Sequence, residues 1–376
     1  FQIQRNLDAT IQAEVGKINS LTSEIAELNQ AIHANEPGNF SANDLRDRRD
    51  QRVKKLSELI GLNVVDELNG QISLTLKDGT PLVLQSKAFT LSTQLNGNNK
   101  GFQDILVSSL GGTNTNVTEV VTGGSLKGLI DMRDKEIPAI KDKLDRLAAG
   151  FIQEFNNIHQ QGFGLDGTTG NNFFGSLSVI TENNANNNGT AKLTVTNGNP
   201  STISNDKFEI TITSSNTFNL KNLTTGAASG TFSFIAGSKF NVGGGFAASI
   251  SSGAVVGDKF KISISENASQ NFSISSDVVP NSKRIAAGLT SSSDGGNALS
   301  LLGLQSKLSF NSVTHVAEGS GAFTFNEFYS SMVSDLGIQS FSTQATVEQQ
   351  EGILLQLNTR RESKSGVSID EEFINM

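Results

Sequence analysis

Cysteine and tryptophan are missing from this 376-residue sequence, and tyrosine occurs once, methionine and histidine three times each and proline five times. Without cysteine there is neither a disulfide framework nor a thiolate ligand set for zinc or an iron–sulfur cluster. The histidines, His33, His159 and His315, are scattered, and none has the H-E-x-x-H spacing that sets two imidazoles on one helix face. Each is read as a surface or core residue. Neither G-x-S-x-G nor G-x-x-x-x-G-K-[ST] occurs, which removes two common routes to nucleophilic and phosphate chemistry. No apolar run approaches the ~20 residues of a membrane span, and no signal peptide is visible. Cations are in the minority, 29 Lys and Arg against 37 Asp and Glu, and the net charge of -8 argues against a nucleic-acid binder. The expectation is a protein without catalytic residues, cofactor or metal.

Helical periodicity is abundant. Between Thr122 and Gly164, apolar residues recur every seven positions at Ile130, Ile137, Leu144, Phe151 and Ile158. The other side carries Lys135, Glu136, Lys141, Asp142, Lys143, Asp145 and Arg146 and is expected to face solvent. Pro138 should kink this rod or begin its second half, and Gly162 and Gly164 should stop it. A second long helix is expected from Leu7 to Ile32, where Ile11, Ile18, Ile25 and Ile32 make a seven-residue repeat with Glu14 as its polar interruption. A third is expected near the end, through Phe325, Phe328, Met332, Leu336, Ile353, Leu354 and Leu357, with Gly337 inside it. Helices with one apolar stripe are stabilised by packing on each other, so a bundle built from distant parts of the chain is predicted.

In chain order, Asn35-Glu36-Pro37-Gly38-Asn39 breaks the first helix. Ser41 or Asn43 is the expected cap of a shorter helix striped by Leu45, Val53, Leu56 and Ile60, and Gly61 its left-handed end. Ile72, Leu74 and Leu76 then alternate with polar residues up to Asp78-Gly79, with Leu82 and Leu84 beyond, which is a hairpin pattern. Residues 176 to 280 are poor in charge and rich in Asn, Ser, Thr and Gly, with short alternating runs. Two of these echo one another, Asp206-Lys207-Phe208-Glu209-Ile210-Thr211-Ile212 and Asp258-Lys259-Phe260-Lys261-Ile262-Ser263-Ile264, as equivalent strands would. Helical language returns at about Val279, and a Gly/Ser-rich break falls at Glu318 to Gly321.

The fold class predicted is α+β and multidomain. A discontinuous helical stem (1–61, 122–164 and 280–376) of long antiparallel helices carries a small β insertion (62–121) and an outer all-β domain (165–279) of one or two subdomains.

Gly162-Phe163-Gly164-Leu165-Asp166-Gly167 fits G-x-G-x-x-G but follows a helix, so it is read as a turn. Asp166 and the loop Asn183 to Asn188 could hold a hard cation, yet they lack the ligand order of a calcium loop and are read as polar loops. For contact with other subunits the candidates are Arg46, Arg48, Arg49, Asp131, Arg133 and Asp134; the competing reading is that these only solvate or pair within the chain.

Four separated motifs carry a family resemblance. They are Asp44-Leu45-Arg46-Asp47-Arg48-Arg49-Asp50; Gly123-Gly124-Ser125-Leu126-Lys127-Gly128-Leu129-Ile130-Asp131-Met132-Arg133-Asp134, continuing through Leu144-Asp145-Arg146-Leu147-Ala148 to Phe155-Asn156-Asn157-Ile158-His159; Gly162 to Phe174; and Ser363-Lys364-Ser365-Gly366-Val367-Ser368-Ile369-Asp370-Glu371-Glu372. Together they resemble bacterial flagellar hook-associated protein 1. The resemblance implies a structural subunit of the hook–filament junction, exported through the flagellar type III pathway with a chaperone. It implies assembly with copies of itself in a ring at the distal hook end, beside hook protein and the next junction protein, hook-associated protein 3, and a location outside the cell. The chain begins at Phe1 without an initiator methionine and ends at Met376, so it is expected to be a fragment without terminal assembly segments, monomeric in solution. The alternatives are a surface adhesin or glycan-binding module in the outer β domain, or another flagellar axial protein such as hook-associated protein 3 or flagellin.

Overall fold

A computed structural model describes residues 1–36, 42–108, 112–197, 204–243, 245–311 and 322–365. The chain forms two compact units, one from Phe1–Leu144, Val179–Gly198 and Lys207–Ser263, the other from Asp145–Ser178, Asn199–Asp206 and Ile264–Met376. The predicted α+β class holds.

In the first unit, helix α1 (Gln2–Asn35) packs against α2 (Asn43–Leu59) as the expected hairpin. The isoleucine repeat is its spine, because Ile11, Ile18, Ile25 and Ile32 are all fully buried. Pro37 to Ser41 lie outside the described residues. Of the predicted caps of α2, Ser41 lies outside the described residues and Asn43 is already helical; the Ala42 N–H is accepted by Glu36 Oε1 at 2.8 Å. Gly61 is also not left-handed, since Ile60 leaves α2 with extended backbone. Its requirement is space, because a Cβ there would lie 2.9 Å from the Gly123 nitrogen, and Gly61 donates to Gly123 O at 3.0 Å.

Two small antiparallel sheets cover this hairpin. One has the order β1-β2-β3-β4, from Asn63–Asp66, Ile72–Thr75, Pro81–Leu84 and Lys87–Ala88; the other is β5-β6-β7, from Leu91–Leu95, Gln103–Ser108 and Asn114–Asn116. The Asp78-Gly79 turn is as predicted, with Leu74 opposite Val83 and Gly79 at φ +89°. Leu74, Leu76, Leu82, Ile105 and Val121 join the α1 isoleucines in one core. Helix α3 (Gly124–Asp131) closes it with Leu126 and Ile130.

A π turn, Met132–Glu136, follows α3 and leads into α4 (Ile137–His159). Pro138 thus occupies the first turn of α4, where a missing N–H is tolerated.

The remaining strands of the first unit are β8 (Ile180–Asn183), β9 (Leu193–Asn197), β10 (Phe208–Ser214), β11 (Thr217–Asn222), β12 (Ala228–Ser233), β13 (Phe240–Gly243), β14 (Phe246–Ile250) and β15 (Lys259–Ser263). They form sheets ordered β12-β11-β10-β15-β8 and β13-β14-β9. The sequence echo becomes a neighbouring pair: β10 and β15 run antiparallel with Phe208 opposite Ile262 and Ile210 opposite Phe260. Exchanging the two copies reproduces the same pairing, so the motif builds a local two-fold axis between adjacent strands.

In the second unit, the latter part of α4 buries Asp145, Ala149, Ile152, Asn156 and His159. This face was misjudged at Asp145, which is fully buried rather than solvated. Its carboxylate accepts the N–H groups of Asn267 and Ser269, each at 3.0 Å, and the Ser269 hydroxyl, so a folded turn replaces water around the charge. Phenylalanines supply the apolar part: Phe151 meets Phe325 edge-on at 5.3 Å, Phe174 lies 4.7 Å from Phe272, and Phe310 stacks on Phe328 at 4.4 Å. A short helix, α5 (Gly296–Leu302), and a two-stranded ribbon, β16 (Phe310–Asn311) with β17 (Ala322–Phe323), precede α6 (Phe325–Ser365). Thr324 and Glu327 form a reciprocal capping box at the start of α6, which runs unbroken through Gly337. Residues 312 to 321, with His315 and the Gly/Ser-rich break, lie outside the described residues.

Candidate functional site

The polar side chains that sequence analysis singled out make internal joints. Arg133 is fully buried. Its Nη1 donates to Asp8 Oδ1 at 2.6 Å and to Gln103 O at 2.9 Å, and its Nε and Nη2 grip Asp134, each at 2.7 Å. Burial disfavours the guanidinium, but the two carboxylates prevail and raise its pKa. Asp8 also accepts the Gln103 N–H at 3.0 Å, so one ion pair ties α1, β6 and the π turn together. Arg49 is buried and donates to Asn29 Oδ1 and Gly70 O, with its pKa lowered by that burial. Arg46 forks onto Glu36 at 2.7 and 2.6 Å. Asp131 accepts from Lys127 and Lys135 at 2.8 Å each, and Arg48 pairs with Asp44 at 3.0 Å on an exposed face. Among the six contact candidates, Arg49 and Arg133 are therefore corrected to core residues: their charges are met inside the chain.

Two asparagines missed by pattern reading do comparable work. Asn19 donates to Leu91 O and accepts from Leu91 N, both at 2.8 Å, which mimics a strand partner at the start of β5. Asn29, fully buried, donates to Ile72 O at 2.7 Å and Gln85 O at 2.6 Å and accepts from Ile72 N at 3.2 Å. Their signal in the sequence is only that each polar residue stands beside the isoleucine spine.

The other motifs are structural as well. A Cβ on Gly162 would fall 2.2 Å from Asn297 Nδ2, and Phe163 exchanges backbone bonds with Gly288. The G-x-G-x-x-G match thus marks close backbone packing. His159 is buried; its Nε2 accepts the Ala286 N–H at 2.9 Å, which places the ring hydrogen on Nδ1, 2.8 Å from Asn171 O. Asp166 is engaged by Thr168, Asn281 and Arg284, and Asn187 grips the backbone of Lys259 from both sides. Among the described residues, no group of three or more His, Asp and Glu side chains is placed to hold a metal ion.

An apolar surface is exposed on α6, where Val333, Leu336, Ile338, Phe341, Val347 and Leu354 are all open to solvent, Phe341 to 76%.

Comparison with known proteins decides what this scaffold is related to. The family model described as the flagellar hook-associated protein FlgK helical domain matches residues 1–174. Flagellar hook-associated protein 1 of Escherichia coli (strain K12) is 27% identical over 381 residues, covering 99% of this chain and 66% of that protein. Over nearly its whole length, then, the chain is similar to hook-associated protein 1. The Salmonella typhimurium member is likewise 27% identical, over 99% of this chain and 67% of its own length, and the Bacillus subtilis member is 30% identical over 48% of the chain and 40% of its own. The chain thus spans about two-thirds of the length of the first two members. The solved structure of the flagellar hook junction protein FlgK from Burkholderia pseudomallei has the same fold, with a TM-score of 0.79 over 98% of this chain and 85% of that one at 20% identity. The Arg133, Arg49 and Asn29 joints all lie within residues 1–174, the part matched by the helical-domain model.

Proposed function

We propose that this chain is a structural subunit of the bacterial flagellum, part of the junction between hook and filament. The observation that carries the reading is the match of residues 1–174 to the family's helical domain, with relatives of the same name aligned over 99% of the chain. A scaffold whose buried charges and histidine are spent on internal joints suits a building block better than an enzyme. In this reading the subunit assembles as a ring at the distal hook end, outside the cell, between hook protein and hook-associated protein 3, after export with a chaperone. The helical regions 1–61, 122–164 and 280–376 serve as a stem, with β regions 62–121 and 165–279 as insertions. The exposed apolar residues of α6 support a role in packing against other helices. The adhesive alternative finds no support in the comparisons.

Immunogold electron microscopy of isolated flagella tests the reading. Antibodies raised against this chain should label a single short collar at the hook's distal end. Label along the whole filament, or on the cell body alone, would replace the junction assignment with an axial or adhesive one.

A further inference from the structure

The widened turn after α3 has a visible bonding cause. In a π turn each N–H reaches five residues back, and the Ile137 N–H does donate to Met132 O. The next donor in that series would be residue 138, pairing with Arg133 O, but Pro138 has no N–H. The missing bond comes from elsewhere: the buried Gln4 donates its Nε2 to Arg133 O at 2.8 Å. In an ordinary α turn the Ile137 N–H would take Arg133 O itself, and the proline would instead orphan Asp134 O. In the wide arrangement the carbonyl that the proline leaves without a helical donor, that of Arg133, is met by a buried side chain.

We propose that Met132–Glu136 is a register hinge with two settings, wide and tight, and that Gln4 together with the Arg133 clamp holds it wide. Tightening takes up the extra residue, so the segment from Ile137 to Leu144 turns by about 100° and advances by about 1.5 Å relative to α3. Two further bonds report the setting. Asn99 Nδ2 donates to Asp134 Oδ1 at 3.0 Å, and Lys207 Nζ reaches Asp142 Oδ1 at 2.6 Å, tying the start of β10 to the turning segment. Tightening carries Asp142 away from Lys207, so the hinge sets whether this helix segment and the five-stranded sheet are joined.

The absence of native cysteine makes the test direct. Spin labels at Ala13→Cys on α1 and Ala139→Cys just past the hinge, both exposed in the first unit, give one interlabel distance in the full chain by pulsed electron–electron resonance. Gln4→Leu should add a second distance, because the label at position 139 moves by about 8 Å, the chord of a 100° turn at side-chain radius, which is the upper limit of the change in interlabel distance. Pro138→Ala, which gives Asp134 O a donor in the tight setting, should do the same without touching Gln4, and covers the case in which Gln4→Leu does not fold. Deleting Lys135 removes the extra residue, so in that background neither substitution should move the labels. A single unchanged distance in both variants overturns the hinge, as does equal broadening with and without Lys135, which would mean general loosening.

Discussion

A carboxylate that accepts a forked guanidinium and a backbone N–H releases its charge only in strong acid, and Glu36 is in this position. Its bonds from Arg46 and from the Ala42 N–H pull its pKa from the ordinary 4.5 down to about 2. Because the folded value is the lower one, the stabilisation is fully present above pH 4.5 and is lost as the pH falls toward about 2. Urea unfolding of Glu36→Gln and the parent should therefore differ at pH 7, with the gap closing as the pH is lowered to about 2, while a constant gap would mean that the side chain acts through shape alone. At Asn29 the expected cost is larger. Asn29→Ala strands the main-chain groups of Ile72 and Gln85 in the core, and a loss of about 3 kcal/mol in unfolding free energy is expected from chemical denaturation. Gly124 is constrained twice, by φ +75° and by a Cβ position 2.3 Å from the Leu59 carbonyl carbon. Gly124→Ala should cost about 3 kcal/mol or more by the same measurement. None of these magnitudes was legible in the sequence, because each depends on a partner outside the residue's own helical turn or strand.

Elements were easier to read than their faces. The isoleucine repeat of α1 predicted its buried spine because burial there follows helical period alone. The same logic failed on α4 at Asp145, which lies inside. A polar residue at a helical position looks solvated unless one knows that a turn such as Asn267–Ser269 will bring N–H groups to it. Gly61 was read as a left-handed cap from its place after an apolar stripe, but its reason is another backbone passing close by, which has no local signature. The paired echo lay between these cases. Its strands were visible as alternation, whereas their adjacency is set by register. Phe208 and Phe260 occupy equivalent places across the two-fold axis, both buried, so Phe208→Ala and Phe260→Ala should destabilise the sheet by similar amounts, about 3 to 5 kcal/mol each. Hydrogen exchange of β10 and β15 amides checks this, and strongly unequal losses would show the symmetry to be one of backbone only.

For the whole molecule, the resemblance to hook-associated protein 1 was legible from motifs in the helical regions, while the site was not, since its most suggestive charges turned out to be joints. The motif from Gly366 to Glu372 lies outside the described residues, and Ser363 to Ser365 fall at the end of α6. Exposed apolar residues on α6 supply what the charge pattern did not. Phe341→Ser with Leu354→Ser should lower the fluorescence of a bound anilinonaphthalene dye without moving the urea midpoint, and in cells should reduce the number of filaments carried on hooks. An unchanged dye signal would mean that this surface is already covered in solution.

Among the described residues, strand β8 pairs only with β15, and β15 sits between it and β10 in the five-stranded sheet. A chain delivered end-first, from the amino terminus, therefore presents β8 long before its neighbour emerges. The helical hairpin and its two small sheets, complete by about Ile130, can be finished structures while this sheet is still an open template. The order of arrival thus makes the last strand to emerge a central one, and the sheet closes by insertion rather than by growth at its edge.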